Sequence, residues 1–457
     1  MKFKKKKVSE FVSPYTVSDA WKKGDGKTKG SFLIMGLGLL TRHRYAKGLI
    51  YLGLEVLFIL FMVASGLKSL ANLPGLGSVT QHQVWNEAKG IYEYTAGDNS
   101  LLMLLYGIAT LFVIIGFVLL WRSNVKSNYK AQVLSEEGRH LNTFKQDVAT
   151  LFDGNLQSLL LAGPVTGVLI FTILPLVFMI SMAFTNYSIK GNHLILFDWV
   201  GLKNFAQVLN MRSNIGKEFW SVLAWTLVWA VFATFLNYLF GMLLAILINR
   251  KDTHAKSFWR FCFVLSIAVP QFVSLLIMRT MLQPEGAVNV LLKNAGLISQ
   301  SLPFFTDTTW ARVTVIVINL WVGIPYTILQ VTGILQNIPA ELYESAKIDG
   351  ASPFITFIKI TLPYMLFVTT PYLITQFTGN VNNFNVIYLL SGGDPTPVGG
   401  TAGKTDLLVT WLYKLTIDKQ YYNIGAVIGI LTFIVLAIVA LITYRNSGSY
   451  KNEEGFM

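Results

Sequence analysis

Long apolar segments constrain this chain more than any other feature. Eight segments are long enough to cross the hydrocarbon core of a bilayer, which is about 30 Å thick and takes about 20 helical residues. Because 53% of the residues are apolar and only 13% are charged, the composition excludes a soluble domain. The sequence therefore predicts an all-α polytopic membrane protein with eight transmembrane helices. They are placed at residues 49–72, 101–121, 158–185, 219–248, 259–282, 313–333, 362–390 and 423–444.

The distribution of Lys and Arg predicts the orientation of these helices. With the N-terminus inside the cell, the inner segments hold more basic residues than the outer loops, so the positive-inside rule places both termini in the cytoplasm. Much of the net charge of +13 lies in the N-terminal tail. The basic residues there are Lys2, Lys4, Lys5, Lys6, Lys7, Lys22, Lys23, Lys27 and Lys29. Such a cluster is attracted to anionic lipid headgroups, so membrane lipids are its expected partner and nucleic acid is not.

The chain divides into four predicted regions. Residues 1–48 form a basic cytoplasmic region, in which the apolar stretch 31–40 is too short to span and so lies in the interface or packs under the bundle. Residues 49–157 hold two accessory transmembrane helices and a cytoplasmic linker. Residues 158–446 form a six-helix core, and residues 447–457 form a cytoplasmic tail.

Polar residues follow one face of the sixth and of the seventh predicted span. Each set has the spacing i, i+4, i+7, which places its members on one side of a helix. The members are Asn319, Gly323 and Tyr326 in the sixth span and Gln376, Asn380 and Asn383 in the seventh, with Asn385 close by. Because hydrocarbon offers polar groups no partner, the two faces predict a shared lumen.

Two explanations of these faces remain open. The simpler one is hydrogen bonding between helices, at about 0.6 kcal/mol per contact. The narrower one is a site for an uncharged ligand with many hydroxyl groups, because amides both donate and accept and aromatic rings stack on sugars. The aromatic residues Tyr326 and Phe384 lie on or near these faces.

A polar segment between the same two spans predicts a helix, a tight corner and a second helix. Ala340 to Asp349 is rich in helix-forming residues, and Gly350 follows it, where a left-handed conformation ends a helix. Ser352 can then accept hydrogen bonds from the backbone of the next helix, with Pro353 at the first helical position. An ordinary capped turn between two spans is the alternative to a functional role.

Sequence patterns for catalysis or metal binding are not found. Gly399 to Thr405 looks like a phosphate-binding loop but lacks the required first glycine, because position 398 is Val398. We assign it to an outer loop and expect no ATP-binding motif in this chain. Glu55, inside the first span, is interpreted as a packed or interfacial group, with a proton relay as the alternative. A membrane enzyme is the competing function class, and it would need paired carboxylates or clustered histidines.

Several motifs resemble those of one family, the MalF-type permeases of maltose and maltodextrin importers. These importers belong to the ATP-binding cassette (ABC) class. The motifs are Glu344-Ser345-Ala346 with Gly350 and Leu362-Pro363, which resembles the EAA loop (340–363), Ala183 to Ser188, Trp321 to Tyr326, Asn380 to Asn385, Leu390 to Pro395, and Thr405 to Val409. The similarity covers about Ala162 to Arg445 and implies the fold of an ABC importer permease.

The resemblance implies two sets of functional residues. The sugar contacts would be Asn319, Val322, Gly323, Tyr326, Gln376, Asn380, Asn383 and Asn385. The residues that couple to the ATPase would be Glu344, Ser345, Ala346 and Gly350. The family pattern has Ser at Gln376 and Val at Asn385, which leaves the preferred oligosaccharide open, and it has Ala at Ser345.

The resemblance also implies the protein's partners and location. They are a second permease of the MalG type, two ATPase subunits that hold ATP and magnesium, and an extracellular solute-binding lipoprotein. No cofactor is expected in this chain, and the solute would be a maltodextrin or another oligosaccharide or glycoside. The short segment 186–217 stands where Gram-negative relatives carry a long domain, which predicts the plasma membrane of a Gram-positive bacterium.

Overall fold

The computed structural model describes residues 15–250 and 252–446. The predicted basic residues Lys2 and Lys4–Lys7, and the predicted tail 447–457, lie outside the described residues. Contacts between residues divide the chain into two units. The N-terminal unit is Met1–Tyr187 with Asn192–Trp199, and the C-terminal unit is Ser188–Gly191 with Val200–Met457.

The N-terminal unit is built around one long helix. Its elements are α1 (Val17–Lys23), α2 (Gly26–Gly30), α3 (Leu37–Leu40), α4 (Tyr45–Asn72), β1 (Gln83–Asn86), β2 (Ile91–Tyr94), α5 (Ser100–Glu136), α6 (Phe144–Phe152) and α7 (Leu156–Met182). Helix α7 packs against α5 within this unit. By these contacts α7 groups with the first two spans. The prediction placed the start of the six-helix core at residue 158, before most of α7, and it stays a prediction.

Helix α5 runs past the predicted span 101–121 to Glu136, so the linker predicted after that span begins as a helix, and its cytoplasmic location stays a prediction. The polar half of α5 holds the N-terminal region by hydrogen bonds from buried amides. The Asn124 Nδ2 donates to the Ser31 carbonyl at 2.9 Å, and Gly36 N donates to Asn124 Oδ1 at 2.8 Å. Asp25 N donates to Gln132 Oε1 at 2.9 Å. These bonds hold Asp25, Ser31 and Gly36 against the polar half of α5, which supports the packed alternative for residues 31–40.

Two elements of this unit were not predicted. Strands β1 and β2 form an antiparallel hairpin between the first two spans, with Gln83 opposite Tyr94.

Glu55 has a partner, because the Met35 backbone N–H donates to its Oε2 at 2.8 Å. This contact supports the interpretation of Glu55 as a packed group.

The C-terminal unit contains the remaining helices. They are α8 (Lys203–Leu209), α9 (Asn214–Asn249), α10 (Lys256–Ala268), α11 (Gln271–Met281), α12 (Ala287–Asn294), α13 (Thr308–Leu335), α14 (Ala340–Ile348), α15 (Pro353–Thr356), α16 (Leu362–Val381), α17 (Phe384–Leu390), α18 (Leu408–Tyr413) and α19 (Tyr422–Asn446). A wider helical turn, Phe357–Thr361, joins α15 to α16 without a break.

Within the described residues, seven helices are long and apolar enough to cross a membrane. The predicted fifth span, 259–282, is not one straight helix, because α10 and α11 meet at 86°. The break falls at Val269 and Pro270. Proline has no N–H to donate and forces the preceding residue into an extended conformation, which Val269 adopts with ψ 124°. If this bent pair counts as one span, the number is the predicted eight.

Small residues allow α9 and α13 to pack closely. A Cβ atom at Gly241 of α9 would overlap the Thr327 side chain, and one at Gly323 of α13 would overlap the Asn237 side chain. Nearby, the apolar side chains of Ile328 and Met365 are fully buried. The close approach of α9 and α13 brings the polar residues of the two helices together.

Candidate functional site

A cavity of about 620 Å³ lies among α9, α13 and α16 in the C-terminal unit. It is lined by Ala233, Thr234, Asn237, Tyr238, Gln271, Asn319, Val322, Gly323, Tyr326, Thr327, Leu329, Gln330, Tyr372, Leu373, Gln376, Asn380 and Asn383. These side chains are amides, hydroxyls, tyrosines and aliphatics, and none of the described lining residues carries a charge. The cavity can therefore accept and donate hydrogen bonds but cannot pair with an ion.

Seven of the eight predicted contact residues line this cavity. The sixth-span face contributes Asn319, Val322, Gly323 and Tyr326, and the seventh-span face contributes Gln376, Asn380 and Asn383. The predicted lumen between the two faces is therefore present. That these residues bind a substrate stays a prediction.

Asn385 is the exception, since it is exposed and does not line the cavity. The prediction treated residues 362–390 as one continuous helix. The structure instead ends α16 at Val381, and the Asn383 Oδ1 accepts from Val386 N at 3.2 Å as the N-cap of a new helix, α17. The break at 382–383 changes the helical face, so spacing along a single helix does not carry past it.

Hydrogen bonds fix the cavity wall formed by the end of α16. The Asn380 Nδ2 donates to Thr234 Oγ1 on α9 at 3.0 Å, and the Trp229 Nε1 donates to the Asn380 carbonyl at 3.0 Å. Deeper in the wall, the Tyr238 hydroxyl pairs with Thr369 Oγ1 at 2.8 Å. These bonds hold α9 and α16 in register around the cavity.

Two buried amide atoms in the cavity wall have no hydrogen-bond partner among the described residues. They are the Asn319 Nδ2 and the Asn237 Oδ1. Asn319 is only 3% exposed, and the other half of the Asn237 amide donates to the Ala233 carbonyl at 2.7 Å. Because an unpaired buried polar group costs about 1–3 kcal/mol, one free donor and one free acceptor in one cavity point to a polar occupant.

Sequence reasoning missed the wall contributed by α9. Thr234, Asn237 and Tyr238 line the cavity from the fourth span. Their spacing of i, i+3, i+4 was a readable signal for a third polar face. Gln271, Gln330 and Tyr372 also line the cavity.

The segment after α13 has the local geometry predicted for it. Helix α14 ends at Ile348, and Gly350 adopts a left-handed conformation with φ 72°. The Ser352 side chain accepts from Ile355 N at 3.3 Å, with Pro353 at the first position of α15. The helix, corner and second helix are therefore confirmed, while their role in coupling stays a prediction.

The surface around this turn exposes large apolar side chains among charged ones such as Lys347 and Asp349. Ile348 is 86% exposed and Phe354 is 72% exposed, with Leu342 and Ile355 also exposed beside them. Glu344 and Ser345 lie on the exposed side of α14, whereas Ala346 is buried. The Tyr343 hydroxyl pairs with Thr361 Oγ1 at 3.1 Å, which ties α14 to the helical turn that leads into α16.

Comparison with known proteins identifies the family. The family described as binding-protein-dependent transport system inner membrane component matches residues 237–448. The galactooligosaccharides transport system permease protein GanP of Bacillus subtilis (strain 168) is 36% identical, over 92% of this chain and 97% of that protein. The maltodextrin transport system permease protein MalC of Streptococcus pneumoniae serotype 4 is 33% identical, over 92% and 96%.

A solved structure has the same fold. It is a bacterial ABC transporter involved in the import of the acidic polysaccharide alginate, with a TM-score of 0.53 and 23% identity. The match covers 65% of this chain and 96% of that chain. The long transmembrane helices, the capped turn and the relatives that match over nearly their full length all indicate the same family. The chain belongs to the family of inner membrane components of binding-protein-dependent ABC importers, as a permease subunit of the MalF type.

Proposed function

We propose that this permease imports a neutral linear oligosaccharide, and that maltodextrin is its solute. One observation carries the proposal, namely an uncharged cavity in which a buried amide donor, Asn319 Nδ2, and a buried amide acceptor, Asn237 Oδ1, have no partner among the described residues. Sugar hydroxyls satisfy donors and acceptors alike, and the less buried tyrosines of the lining, Tyr326 and Tyr372, would supply ring faces on which sugars stack. The named function of the pneumococcal relative supports maltodextrin.

Galactooligosaccharide is the second candidate solute, because the Bacillus subtilis relative named for it is 36% identical to this chain. Both solutes are neutral and rich in hydroxyl groups, so the cavity chemistry accepts either. Phosphorylated solutes are disfavoured, because phosphate recognition relies on Arg or Lys and neither is among the described lining residues.

We also propose that the turn between α14 and α15 couples the import of the solute to the ATP cycle of the partner subunits. Its exposed apolar residues Ile348 and Phe354 would enter a cleft on an ATPase subunit, with Glu344 at the rim. Two such ATPase subunits would hold ATP and magnesium, so this chain would need no cofactor of its own. Closure of the ATPase dimer would turn the cavity outward, and its release after hydrolysis would return the cavity inward.

The remaining partners follow from the same proposal. A second permease of the MalG type would complete the pathway, and a tethered solute-binding lipoprotein would deliver the oligosaccharide from outside. Both termini would lie in the cytoplasm of a Gram-positive cell. The short segment 186–217 supports this, as does the concentration of basic residues before the first span.

Uptake by the reconstituted complex tests the choice of solute. Labelled maltotetraose and a galactooligosaccharide of equal length are offered separately to proteoliposomes with ATP inside and the binding protein outside. Faster uptake of maltotetraose supports the first candidate, and faster uptake of the galactooligosaccharide supports the second. Uptake of neither one, by a complex that takes up a phosphorylated sugar, would contradict the proposal.

A further inference from the structure

The N-terminal unit contains a second large cavity, and it is basic. It measures about 780 Å³ and is enclosed by the residues before α4, the polar half of α5 and the first turn of α6. An adjoining cavity of about 690 Å³ runs along α5 and shares Tyr15, Ser127 and Lys130 with the first. We call the two together the basic cavity. Its charged members are Arg44, Lys47, Arg122, Lys126, Lys130, Arg139 and Asp147.

Most of this positive charge has no carboxylate partner. Lys47 pairs with Asp147 at 3.0 Å, and Arg139 pairs with Glu137 at 3.2 Å. Within the described part of the chain, no Asp or Glu forms an ion pair with Arg122, Lys126 or Lys130. Lys130 instead lies over the Tyr15 ring, 6.0 Å from its centre. A concave surface lined by unpaired cations concentrates anions.

Arg44 adds a buried hydrogen-bond donor to the cavity wall. One of its terminal nitrogens donates to the Leu141 carbonyl, but its Nε is buried and has no hydrogen-bond partner among the described residues. A guanidinium donor that is removed from water and left unpaired costs more than a neutral one. An anionic oxygen in the cavity would satisfy this donor and the nearby lysines together.

The cavity lies at one end of the apolar part of two spans. The apolar part of α5 ends at Trp121, and Arg122, Lys126 and Lys130 follow it on the next turns of the same helix. Arg44 immediately precedes Tyr45, the first residue of α4. In a membrane, this is the level at which aromatic residues meet lipid headgroups and their phosphates.

We infer that the basic cavity binds a phosphate-bearing anion. The phosphate oxygens would accept from Lys126, Lys130 and the unpaired Arg44 Nε. The source is either the headgroup of an anionic phospholipid or free phosphate, which share this chemistry. The site is separate from the uncharged cavity of the C-terminal unit, so the inference goes beyond sugar import and does not depend on it.

Anion binding to the full-length protein in nanodiscs tests the inference. In one arm, discs contain phosphatidylcholine with increasing phosphatidylglycerol, and native mass spectrometry counts the anionic lipids that the protein retains. In the other arm, discs contain phosphatidylcholine alone, and phosphorus NMR line broadening measures binding of inorganic phosphate. The two arms distinguish lipid phosphate from free phosphate.

The test compares two double variants that remove the same charge. Lys126→Gln with Lys130→Gln removes two cavity cations that are exposed and make no ion pair. Lys68→Gln with Lys89→Gln removes two exposed lysines of the same unit that line neither part of the basic cavity and lie outside the N-terminal basic region. We expect the cavity variant to bind the anion about tenfold or more weakly, and the control variant to change by less than about threefold.

Each result supports or overturns the site. Selective loss of phosphatidylglycerol in the cavity variant assigns a lipid headgroup, and selective loss of inorganic phosphate assigns the free anion. Arg44→Gln should weaken binding at least as much, provided that its melting temperature matches the wild type. Equal losses in the cavity and control variants, or no anion binding by the wild type in either arm, would overturn the inference.

Discussion

Two regions of the C-terminal unit expose and bury opposite kinds of side chain. They are the cavity among α9, α13 and α16 and the turn after α14. In the cavity, polar groups are buried without partners, as at Asn319, which is 3% exposed. At the turn, large apolar groups face outward, as at Ile348, which is 86% exposed. Both arrangements are unfavourable for an isolated chain. We propose a different partner for each, a polar solute for the cavity and an apolar protein surface for the turn.

The two regions are connected through the same helices. Helix α13 lines the cavity and leads into α14, and the Tyr343 to Thr361 hydrogen bond of 3.1 Å joins α14 to the start of the helix that lines the opposite wall. Movement at the turn therefore has a direct route to both cavity walls. A variant at the turn and a variant in the cavity should separate energy coupling from solute binding.

The largest effect is expected at Gly350. Its φ of 72° suits glycine, but a Cβ there would meet no described atom within 4 Å. Gly350→Trp should therefore cost only about 1–2 kcal/mol of local strain, while blocking the surface that we propose for the ATPase. We expect uptake by the reconstituted complex to be abolished while the amount of protein in the membrane is unchanged.

Gly296 provides a matched control for that variant. It follows α12 with φ 71° and open space around it, and Leu297 N donates to the Leu292 carbonyl just as Ala351 N donates to the Ala346 carbonyl after α14. Gly296→Trp should carry the same strain and leave uptake within about twofold of wild type. Normal uptake by Gly350→Trp would show that the turn only connects two helices and has no role in coupling.

A smaller effect is expected at Asn319, where a substitution should raise stability and lower uptake. Asn319→Leu replaces a buried amide whose Nδ2 is unpaired with an apolar side chain of similar size. The free energy of unfolding should rise by about 1 kcal/mol, because an unsatisfied group is removed. Uptake should fall about tenfold, because a solute contact worth about 1.4 kcal/mol is lost.

Thermal unfolding in detergent and sugar uptake measure these two quantities on one preparation. A purely structural role for Asn319 predicts a different result for uptake. In that case Asn319→Leu would leave uptake unchanged, whatever its effect on unfolding.

A substitution at Gly323 tests the cavity wall that α9 contributes. A Cβ there would overlap the Asn237 side chain, so Gly323→Ala must displace that amide from its 2.7 Å bond to the Ala233 carbonyl. We expect the apparent KM for sugar uptake to rise about fivefold. Gly333→Ala on the same helix meets nothing within 4 Å and should leave KM unchanged. Equal effects of the two variants would show that helix propensity, not Asn237, is responsible.

The smallest effect is expected at Glu55, which lies in neither region. Its carboxylate accepts from the Met35 backbone N–H at 2.8 Å, and a Gln oxygen can accept the same bond. Glu55→Gln should change the free energy of unfolding by about 1 kcal/mol or less and leave uptake unchanged. An uptake rate that loses its dependence on external pH in this variant would instead indicate a proton relay.

The sequence carried most of the information about the spans and the turn, because both depend on local chemistry. Apolar length alone located the spans, and Gly350 with Ser352 and Pro353 located the corner. The polar face of α13 was readable because Asn319, Gly323 and Tyr326 lie on one helix, and Gln376 and Asn380 likewise share α16.

The features that were not predicted have three different causes, namely bonds to distant residues, a break in a helix and polar residues that resemble packing contacts. The length of α5 depends on amides such as Asn124 that bond the N-terminal region, and spacing cannot reveal those bonds. Asn385 was misplaced because the helix breaks at Asn383. The wall containing Asn237 was missed because it comes from a span whose single polar residues look like packing contacts.

Protection of an introduced thiol by sugar tests the central claim most directly. Cys262 is exposed and is first replaced by Ser. Gln376→Cys then places a thiol in the cavity wall, and Asn385→Cys places one outside it. Saturating maltotetraose should slow labelling of Cys at position 376 at least fivefold and leave position 385 unchanged, and an acidic oligosaccharide of equal length should protect neither. Protection at 385 without protection at 376, or equal protection by the acidic sugar, would contradict an uncharged sugar site in this cavity.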